Sequence, residues 1–188
     1  MLSGGIYLQD GLLPSSEFDK YTFRTNVQHK FNNFLKIGTH MQYSYTEANM
    51  AELSNYQGAL NDIWRDGWPT LPVYREDGTF AVPQDNPRIS TLFGDAAYWN
   101  PVANYKEVTT KSNVSRLLGD VYAEFQLAKG LTFKTNFGLD IANKRDYNYT
   151  TSKITTSTGY GKGGNGYTKK MSRLTENILS YMNEWGDH

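Results

Sequence analysis

The chain has 188 residues, no cysteine, and equal numbers of basic and acidic residues, 19 of each, so its formal net charge is zero. A neutral chain lacks the basic field that phosphate backbones select, and nucleic acid is therefore not an expected partner. The absence of cysteine excludes disulfides, thiolate metal sites and thiol nucleophiles.

The composition favours strands and turns. Aromatic residues make up 14% of the chain and glycine contributes 17 residues, whereas the hydrophobic fraction is only 38%. No run approaches the roughly 18 consecutive apolar residues of a transmembrane helix, so any membrane crossing must use strands. The first ten residues lack the basic start and apolar stretch of a signal peptide. We expect either a cytoplasmic protein or a true N-terminus upstream of this sequence.

A strand end and a long hairpin are predicted first in chain order. Residues 6–8 have the character of a strand end, followed by a loop at 11–16. Over 20–31 uncharged and polar residues alternate, and the same period of two continues over 35–46 after a short link at 32–34. This alternation predicts two long strands joined by a tight turn.

A second hairpin of the same design is predicted further along the chain. Its strands cover 114–127 and 131–142, with a turn at Lys129-Gly130. Residues 167–185 predict another strand, but its apolar residues fall on both parities. The sequence alone leaves the faces of that strand unassigned.

Segregation of charge is the strongest physical signal. In the interiors of the four clean strands every charged side chain falls on one parity, and the other parity carries none. A soluble sandwich also alternates, but its strands are usually of about 5 or 6 residues, half the length predicted here. Strands of at least roughly 9 to 11 residues with one apolar and one polar face suit a transmembrane barrel. The charged residues are Lys20, Arg24, Lys30, Lys36, Arg116, Asp120, Glu124, Lys134 and Asp140.

The links between these strands alternate in length. Those at 32–34 and 128–130 are short, as periplasmic turns of barrels are, whereas 47–113 and 150–166 are long, as extracellular loops are. Tyrosines near the long links suit an aromatic girdle. They are Tyr43, Tyr45, Tyr147 and Tyr149.

The first long link has organisation of its own. Residues 51–64 show helical spacing of apolar side chains, and Asp77-Gly78 is a hairpin-turn signal within 73–80. We therefore predict a long structured extracellular loop over 47–113. The second link is rich in glycine and is expected to be mobile.

Short runs spread in order over nearly the whole chain carry a family resemblance. They are Gly5-Ile6-Tyr7-Leu8-Gln9-Asp10-Gly11, Phe18 to Asn26, Leu35-Lys36-Ile37-Gly38, Tyr43-Ser44-Tyr45, Thr70 to Tyr74, Asp77-Gly78-Thr79-Phe80, Asn100 to Asn104, Arg116-Leu117-Leu118-Gly119, Lys129-Gly130-Leu131 and Phe133 to Gly138. Together they resemble the barrel region and large outer loop of SusC/RagA-type TonB-dependent transporters of Bacteroidota. The series is specific, although no single run is.

The resemblance implies an all-β fold, in which the chain is an antiparallel transmembrane β-barrel segment. Residues 1–188 would supply about six strands of a 22-stranded barrel, with the plug, the TonB box and the signal peptide outside this sequence. The implied function is uptake of oligosaccharides or peptides across a Gram-negative outer membrane. The implied partners are the TonB complex, outer-membrane lipid and a SusD-like surface lipoprotein. Neither a cofactor nor an enzymatic activity is expected.

Several residues admit a chemical role but have a simpler interpretation. Gly161, Gly163 and Gly166 match the spacing of a dinucleotide fingerprint, yet no buried strand precedes them and no helix follows, so a flexible loop is the better interpretation. His29 and His40 have no partner at metal-ligand spacing, and no metal site is predicted. The loop acids are interpreted as solvated; they are Asp62, Asp66, Asp77, Asp85 and Asp95.

Trp64, Trp68 and Trp99 are the candidate substrate-binding residues. Flat aromatic faces bury the CH surface of sugars while nearby polar groups bond hydroxyls. The competing interpretation is packing of the loop against itself.

Two other functional classes remain open from the sequence. A soluble β-sandwich carbohydrate-binding module would bury the uncharged face in its core, and dependence on detergent distinguishes it from a barrel. A glycan-active enzyme would need converging carboxylates in a rigid cleft. Turnover of oligosaccharides would identify that enzyme.

Overall fold

The structure, a computed structural model, describes residues 1–12, 15–50, 72–81, 85, 100–153, 160–184 and 186. The strands are β1 (Leu2–Asp10), β2 (Glu17–Lys30), β3 (Leu35–Asn49), β4 (Val108–Ala128), β5 (Leu131–Thr150) and β6 (Lys162–Tyr181), and helix α1 (Pro101–Glu107) precedes β4. No helix among these residues is long and apolar enough to cross a membrane.

The strands form one antiparallel sheet in which each strand pairs with its neighbours in sequence, in the order β1-β2-β3-β4-β5-β6. The predicted all-β fold of about six antiparallel strands is confirmed. Within the described ranges there is a single sheet, open at β1 and β6, whereas a sandwich needs two sheets packed face to face. The strands reach 20 and 21 residues in β4, β5 and β6.

Two tight turns lie at one end of the sheet, called here the turn end; the opposite end is the loop end. At the β2–β3 turn, the Asn32 carboxamide oxygen accepts the backbone N–H groups of Phe34 and Leu35, both at 2.8 Å. At the β4–β5 turn, Gly130 adopts a φ of 76°, which favours glycine. Both short links are therefore confirmed.

The long links are shorter than predicted because the strands continue towards the loop end. β3 runs to Asn49 and β4 begins at Val108, so the connection spans 50–107 and the predicted bounds of 47 and 113 are wrong. β5 likewise runs to Thr150, and β6 begins at Lys162. Polar residues occupy both parities in these extensions, which removes the period-two signal while the backbone pairing continues.

The expectation of a flexible glycine loop is wrong for Gly163 and Gly166. Both lie in β6, paired with Tyr149 and Asp146. A Cβ atom on Gly163 would approach Cδ2 of Tyr149 to 3.0 Å. Glycine therefore provides room for the tyrosine ring across the strand pair.

The register confirms the two faces predicted from parity. Tyr21 pairs with Tyr45, Val121 with Phe137, and Phe125 with Phe133, so these residues share one face, called here the uncharged face. The charged residues of the four clean strands project from the opposite, charged face because successive side chains alternate.

Pairing with β5 also assigns the faces of β6, which the sequence left open. Met171 and Leu179 pair with Ile141 and Phe133 on the uncharged face, whereas Leu174 and Ile178 project from the charged face. The uncharged face of β6 also carries Lys169 and Arg173. The strict segregation of charge therefore holds only in the interiors of β2 to β5.

The second turn lies further along the sheet than the first. Leu35, the first residue of β3, pairs with Phe125, but β4 continues three residues further, to Ala128. On β5, Leu131 lies two residues beyond Phe133, the partner of Phe125. The second turn is therefore displaced by two to three residues relative to the first. Such a stagger is expected when the strands are inclined to a plane that contains both turns.

Candidate functional site

The charged face has its densest side-chain packing around Tyr122. This residue is only 6% exposed, although it lies on one face of a single open sheet. It pairs across the ladder with Gly38, where a Cβ atom would come within 2.4 Å of ring atoms Cε1 and Cζ. The tyrosine ring therefore lies directly over the glycine backbone.

Side chains from three strands surround the Tyr122 ring. The imidazole of His40 stacks on it with ring centroids 5.7 Å apart and an interplanar angle of 19°. The ammonium groups of Lys36 and Lys134 lie 5.9 and 4.6 Å from the ring centroid, which is cation–π range. The phenol hydroxyl donates to the carboxamide oxygen of Gln28 at 3.4 Å. The cluster thus joins β2, β3, β4 and β5 on the charged face.

Paired polar and charged side chains continue this surface towards the loop end. His40 Nδ1 lies 3.1 Å from a carboxylate oxygen of Asp120. Arg116 donates through two nitrogens to the carboxylate of Asp140, at 2.9 and 2.6 Å. Two parallel bonds fix the orientation of both groups. The charged face thus presents hydrogen-bonding and charged side chains that are paired with one another.

A shallow groove of about 420 Å³ lies near the loop end of β1 and β2. Tyr7 and Phe18 line it, with ring centroids 6.1 Å apart in an edge-to-face arrangement. Lys20 and Thr22 add an ammonium group and a hydroxyl to the lining. An aromatic pair beside polar groups suits a ligand that has both apolar and hydroxylated surface.

Asn100 connects the described parts of the long link between β3 and β4. Its carboxamide nitrogen donates to the carbonyl oxygens of Val73 and Ala81, at 2.7 and 3.2 Å. Its carboxamide oxygen accepts the N–H groups of Val102 and Ala103, as an N-cap residue does. The residue is 8% exposed, and all four of these bonds stabilise the junction between the 73–81 hairpin and α1.

The predicted Asp77-Gly78 hairpin is confirmed. Tyr74 and Phe80 form an antiparallel bridge, and their rings stack with centroids 5.4 Å apart. The Asp77 carboxylate accepts both the N–H and the hydroxyl of Thr79, which lowers the pKa of Asp77. This loop acid therefore stabilises the turn.

The C-terminal end of α1 is attached to the chain that follows β5. The carbonyl oxygen of Glu107 accepts the N–H of Thr151 at 3.0 Å. The Glu107 carboxylate accepts the Thr151 hydroxyl at 2.7 Å and pairs with Lys153 at 3.0 Å. The Thr151 hydrogen bond, supported by Lys153, holds the pKa of Glu107 below its ordinary value.

The candidate residues chosen from the sequence divide into two groups. Trp64, Trp68 and Trp99 lie outside the described residues. Of the histidines on the strands, His29 stacks edge-to-face on Phe31, and His40 belongs to the Tyr122 cluster. The described part of the chain contains no group of three or more histidine or acidic residues able to hold a metal ion.

The Tyr122 cluster and the Tyr7–Phe18 groove were missed by sequence reasoning. Tyr122 and Phe18 are aromatic residues on the parity that carries the charges in β4 and β2, and this was the available signal; the face of Tyr7 follows only from its pairing with Lys20. The decisive contact, Tyr122 over Gly38, depends on a register between strands separated by the long link. Parity within one strand does not determine that register.

Comparison with known proteins gives two relatives, although no protein-family model matches the chain. TonB-dependent receptor P26 of Formosa agariphila is 26% identical over 183 residues, covering 96% of this chain and 17% of that protein. TonB-dependent receptor P3 of the same organism is 25% identical over 195 residues, covering 100% of this chain and 18% of that protein. These matches support the TonB-dependent receptor family.

The two relatives are named as TonB-dependent receptors, which are transporters and not enzymes. The chain spans less than a fifth of the length of the curated TonB-dependent receptors it matches. The similarity therefore concerns only a part of each of these two proteins.

Replacing Gly38 by alanine should destabilise the charged face. The new methyl group would displace the Tyr122 ring from its stack on His40, and such overpacking typically costs about 1–3 kcal/mol. The midpoint of thermal unfolding of the full-length protein should fall. Gly138→Ala is the matched control, because its Cβ would be 3.4 Å from Cβ of Leu174, an ordinary contact. Equal midpoints for both variants would contradict the proposed packing.

The attachment of α1 to the end of β5 should depend on pH through Glu107. Because its pKa in the folded protein is lowered from 4.5, its contribution is present above that value and is lost as the pH falls through the lowered pKa. Hydrogen exchange of the Thr151 amide, corrected for the intrinsic rate, should accelerate at acid pH. Glu107→Gln should abolish this acid step. A step that persists in the variant would assign it to another group.

Proposed function

We propose that the chain is part of an outer-membrane nutrient importer energised by TonB. The observation that carries the proposal is its similarity, over 96% and 100% of its length, to two proteins named TonB-dependent receptors. Long antiparallel strands with segregated charge are consistent with a piece of a barrel wall. In this proposal the remaining strands and the plug belong to the rest of the protein.

In the proposed barrel the uncharged face contacts lipid and the charged face lines the interior. Lipid provides no hydrogen bonds, so charged side chains on a lipid-facing surface are costly near the bilayer midplane. The uncharged face of β2 to β5 has none in its central rows. The charged face has paired ions and aromatic residues, which suit an aqueous interior.

Strand inclination supports the same proposal. If the two turns lie at one level, a stagger of two to three residues at about 3.3 Å, over two strand spacings of about 4.8 Å, gives an inclination of roughly 35–45°. Transmembrane barrels have strands tilted by about that angle. Strands of 20 residues are longer than a crossing requires, so we place their loop ends outside the membrane.

Tyrosines on the uncharged face fit the position of an aromatic girdle. Tyr21 and Tyr45 stack with ring centroids 6.5 Å apart towards the loop end. Tyr147 and Tyr149 lie on the same face of β5 and are 45% and 40% exposed. Such rings favour the boundary between lipid and water.

We further propose the SusC/RagA type of Bacteroidota, a 22-stranded barrel, and a SusD-like lipoprotein as partner. The ordered runs of residues that resemble that type support this assignment. Oligosaccharides or peptides are the proposed cargo, and the Tyr7–Phe18 groove offers an aromatic surface on the interior side. The connection over 50–107 is the proposed extracellular loop.

Arginine on the uncharged face should be far more costly than arginine on the charged face. Val121→Arg in the full-length protein should cost about 2–4 kcal/mol if the site lies near the bilayer midplane. Leu118→Arg is the matched control, because it adds the same charge to β4 on the charged face, opposite Asp140. The measurement is the folded fraction in lipid across a denaturant series. Equal tolerance at the two positions would reject lipid contact for this face.

Substitution of the loop tryptophans should impair transport without impairing assembly. Trp64→Ala, Trp68→Ala and Trp99→Ala in the full-length receptor should each weaken cargo affinity by roughly threefold to tenfold if the indole stacks on the ligand. Uptake and ligand affinity are measured together with barrel assembly. Normal transport by three assembled variants would place cargo recognition elsewhere.

A further inference from the structure

The loop ends of β4, β5 and β6 carry an unbalanced positive charge on the uncharged face. Lys111, Arg145, Lys169 and Arg173 all have the parity of this face, and no aspartate or glutamate of these three strands shares it. The acids on this face belong to β1, β2 and β3; they are Asp10, Glu17, Asp19 and Glu47. We call the four cations the basic patch.

Three cations of the basic patch follow the inclination of the strands. Arg145 lies two residues nearer the turn end than Tyr147, the partner of Lys111. Lys169 lies two residues nearer the turn end than Tyr167, the partner of Arg145. Diagonal neighbours of this kind are about 7–8 Å apart. The turns of the sheet are displaced in the same direction by two to three residues per hairpin, so the inclination of the strands brings the three cations closer to one level.

Strands β4 to β6 supply no carboxylate to two cations of the basic patch. Within the described residues, neither Arg145 nor Lys169 forms an ion pair with a carboxylate. The Arg145 guanidinium lies 5.9 Å from the centroid of the Tyr167 ring, and the Tyr167 hydroxyl donates to Asn143. A groove of about 490 Å³, lined by Arg145, Asn165, Gly166 and Tyr167, opens beside these groups.

Arg173 lies deeper on the same face but is directed towards the loop end. Its guanidinium approaches the sulfur of Met171 at 3.8 Å, and Met171 is nearer the loop end of β6. A long side chain that extends along apolar surface keeps its charge near the membrane boundary. Arg173 therefore extends the basic patch towards the turn end of β6.

We propose that the basic patch binds the phosphate groups of lipid headgroups in the outer leaflet. This proposal rests on the proposed function, because it requires the uncharged face to contact lipid. Cations beside aromatic rings at the membrane boundary lie at the level of the lipid headgroups, and their charge is opposite to that of a phosphate. Lipid bound there would occupy only the β4–β6 side, because the loop ends of β1 to β3 carry acids on this face.

The test compares two charge-matched double variants of the full-length receptor. Arg145→Gln with Lys169→Gln removes two cations from the basic patch. Lys144→Gln with Lys170→Gln removes two cations from the same strands, one residue away, on the charged face. The probes are phosphorylated lipid A, the same lipid after enzymatic removal of its phosphates, and inorganic phosphate. The measurement is the dissociation constant of each probe in uncharged detergent.

The unaltered receptor should bind phosphorylated lipid A at least tenfold more tightly than the dephosphorylated lipid. Loss of two patch cations should weaken that binding by about 25-fold, since each cation near an anionic lipid surface contributes roughly fivefold. The control variant should stay within twofold of the unaltered receptor, and inorganic phosphate at millimolar concentration should not compete.

Other outcomes overturn the proposal. Equal binding of the two lipids would exclude phosphate recognition. An equal loss of lipid affinity in both double variants would show that only the net charge of the protein matters. Competition by inorganic phosphate would identify a free anion as the ligand. If any of these occurs in a receptor that assembles as a heat-modifiable barrel, only this inference fails. If the receptor does not form a membrane-inserted barrel, the proposed function fails with it.

Discussion

The antiparallel register between the strands is the constraint on which the rest of the structure depends. Because side chains alternate along each strand, paired residues always share a face. A slip of one residue in the β3–β4 ladder would place charged residues such as Lys36 or Glu124 on the same face as the tyrosines and phenylalanines of the neighbouring strand. The turn at Asn32 and the glycine turn at Gly130 fix the register of the two hairpins, and cross-strand contacts maintain it between them.

The two faces are stabilised by different interactions. On the uncharged face aromatic and aliphatic side chains lie side by side, and this surface needs an apolar environment. On the charged face Arg116 with Asp140, and His40 with Asp120, satisfy one another, while Tyr122 covers the backbone at Gly38. A tyrosine over a glycine on the next strand protects the ladder there from water, as an apolar core would in a globular protein.

The long strands and their faces could be predicted from the sequence because period-two alternation is a local property. The strand ends near the loops could not be predicted. Polar residues such as Lys111 and Asp146 occupy both parities there, so the alternation disappears although the pairing of the strands continues. The faces of β6 required its pairing with β5, because Arg173 and Leu174 each lie on the face opposite to the one their polarity suggests. The Tyr122 cluster depended on contacts across the long link, and the tryptophan candidates remain predictions.

Asn100 alters the chain entropy of the connection between β3 and β4. A flexible segment that joins two fixed points loses entropy approximately as the logarithm of its length. By holding the hairpin near residue 73 against the start of α1, the Asn100 carboxamide divides 50–107 into two segments with separate end points. Insertions or deletions within one segment can then change its length without altering the closure of the other. Loop sequence and length can therefore diverge on either side of the 73–81 hairpin while the same six strands remain paired.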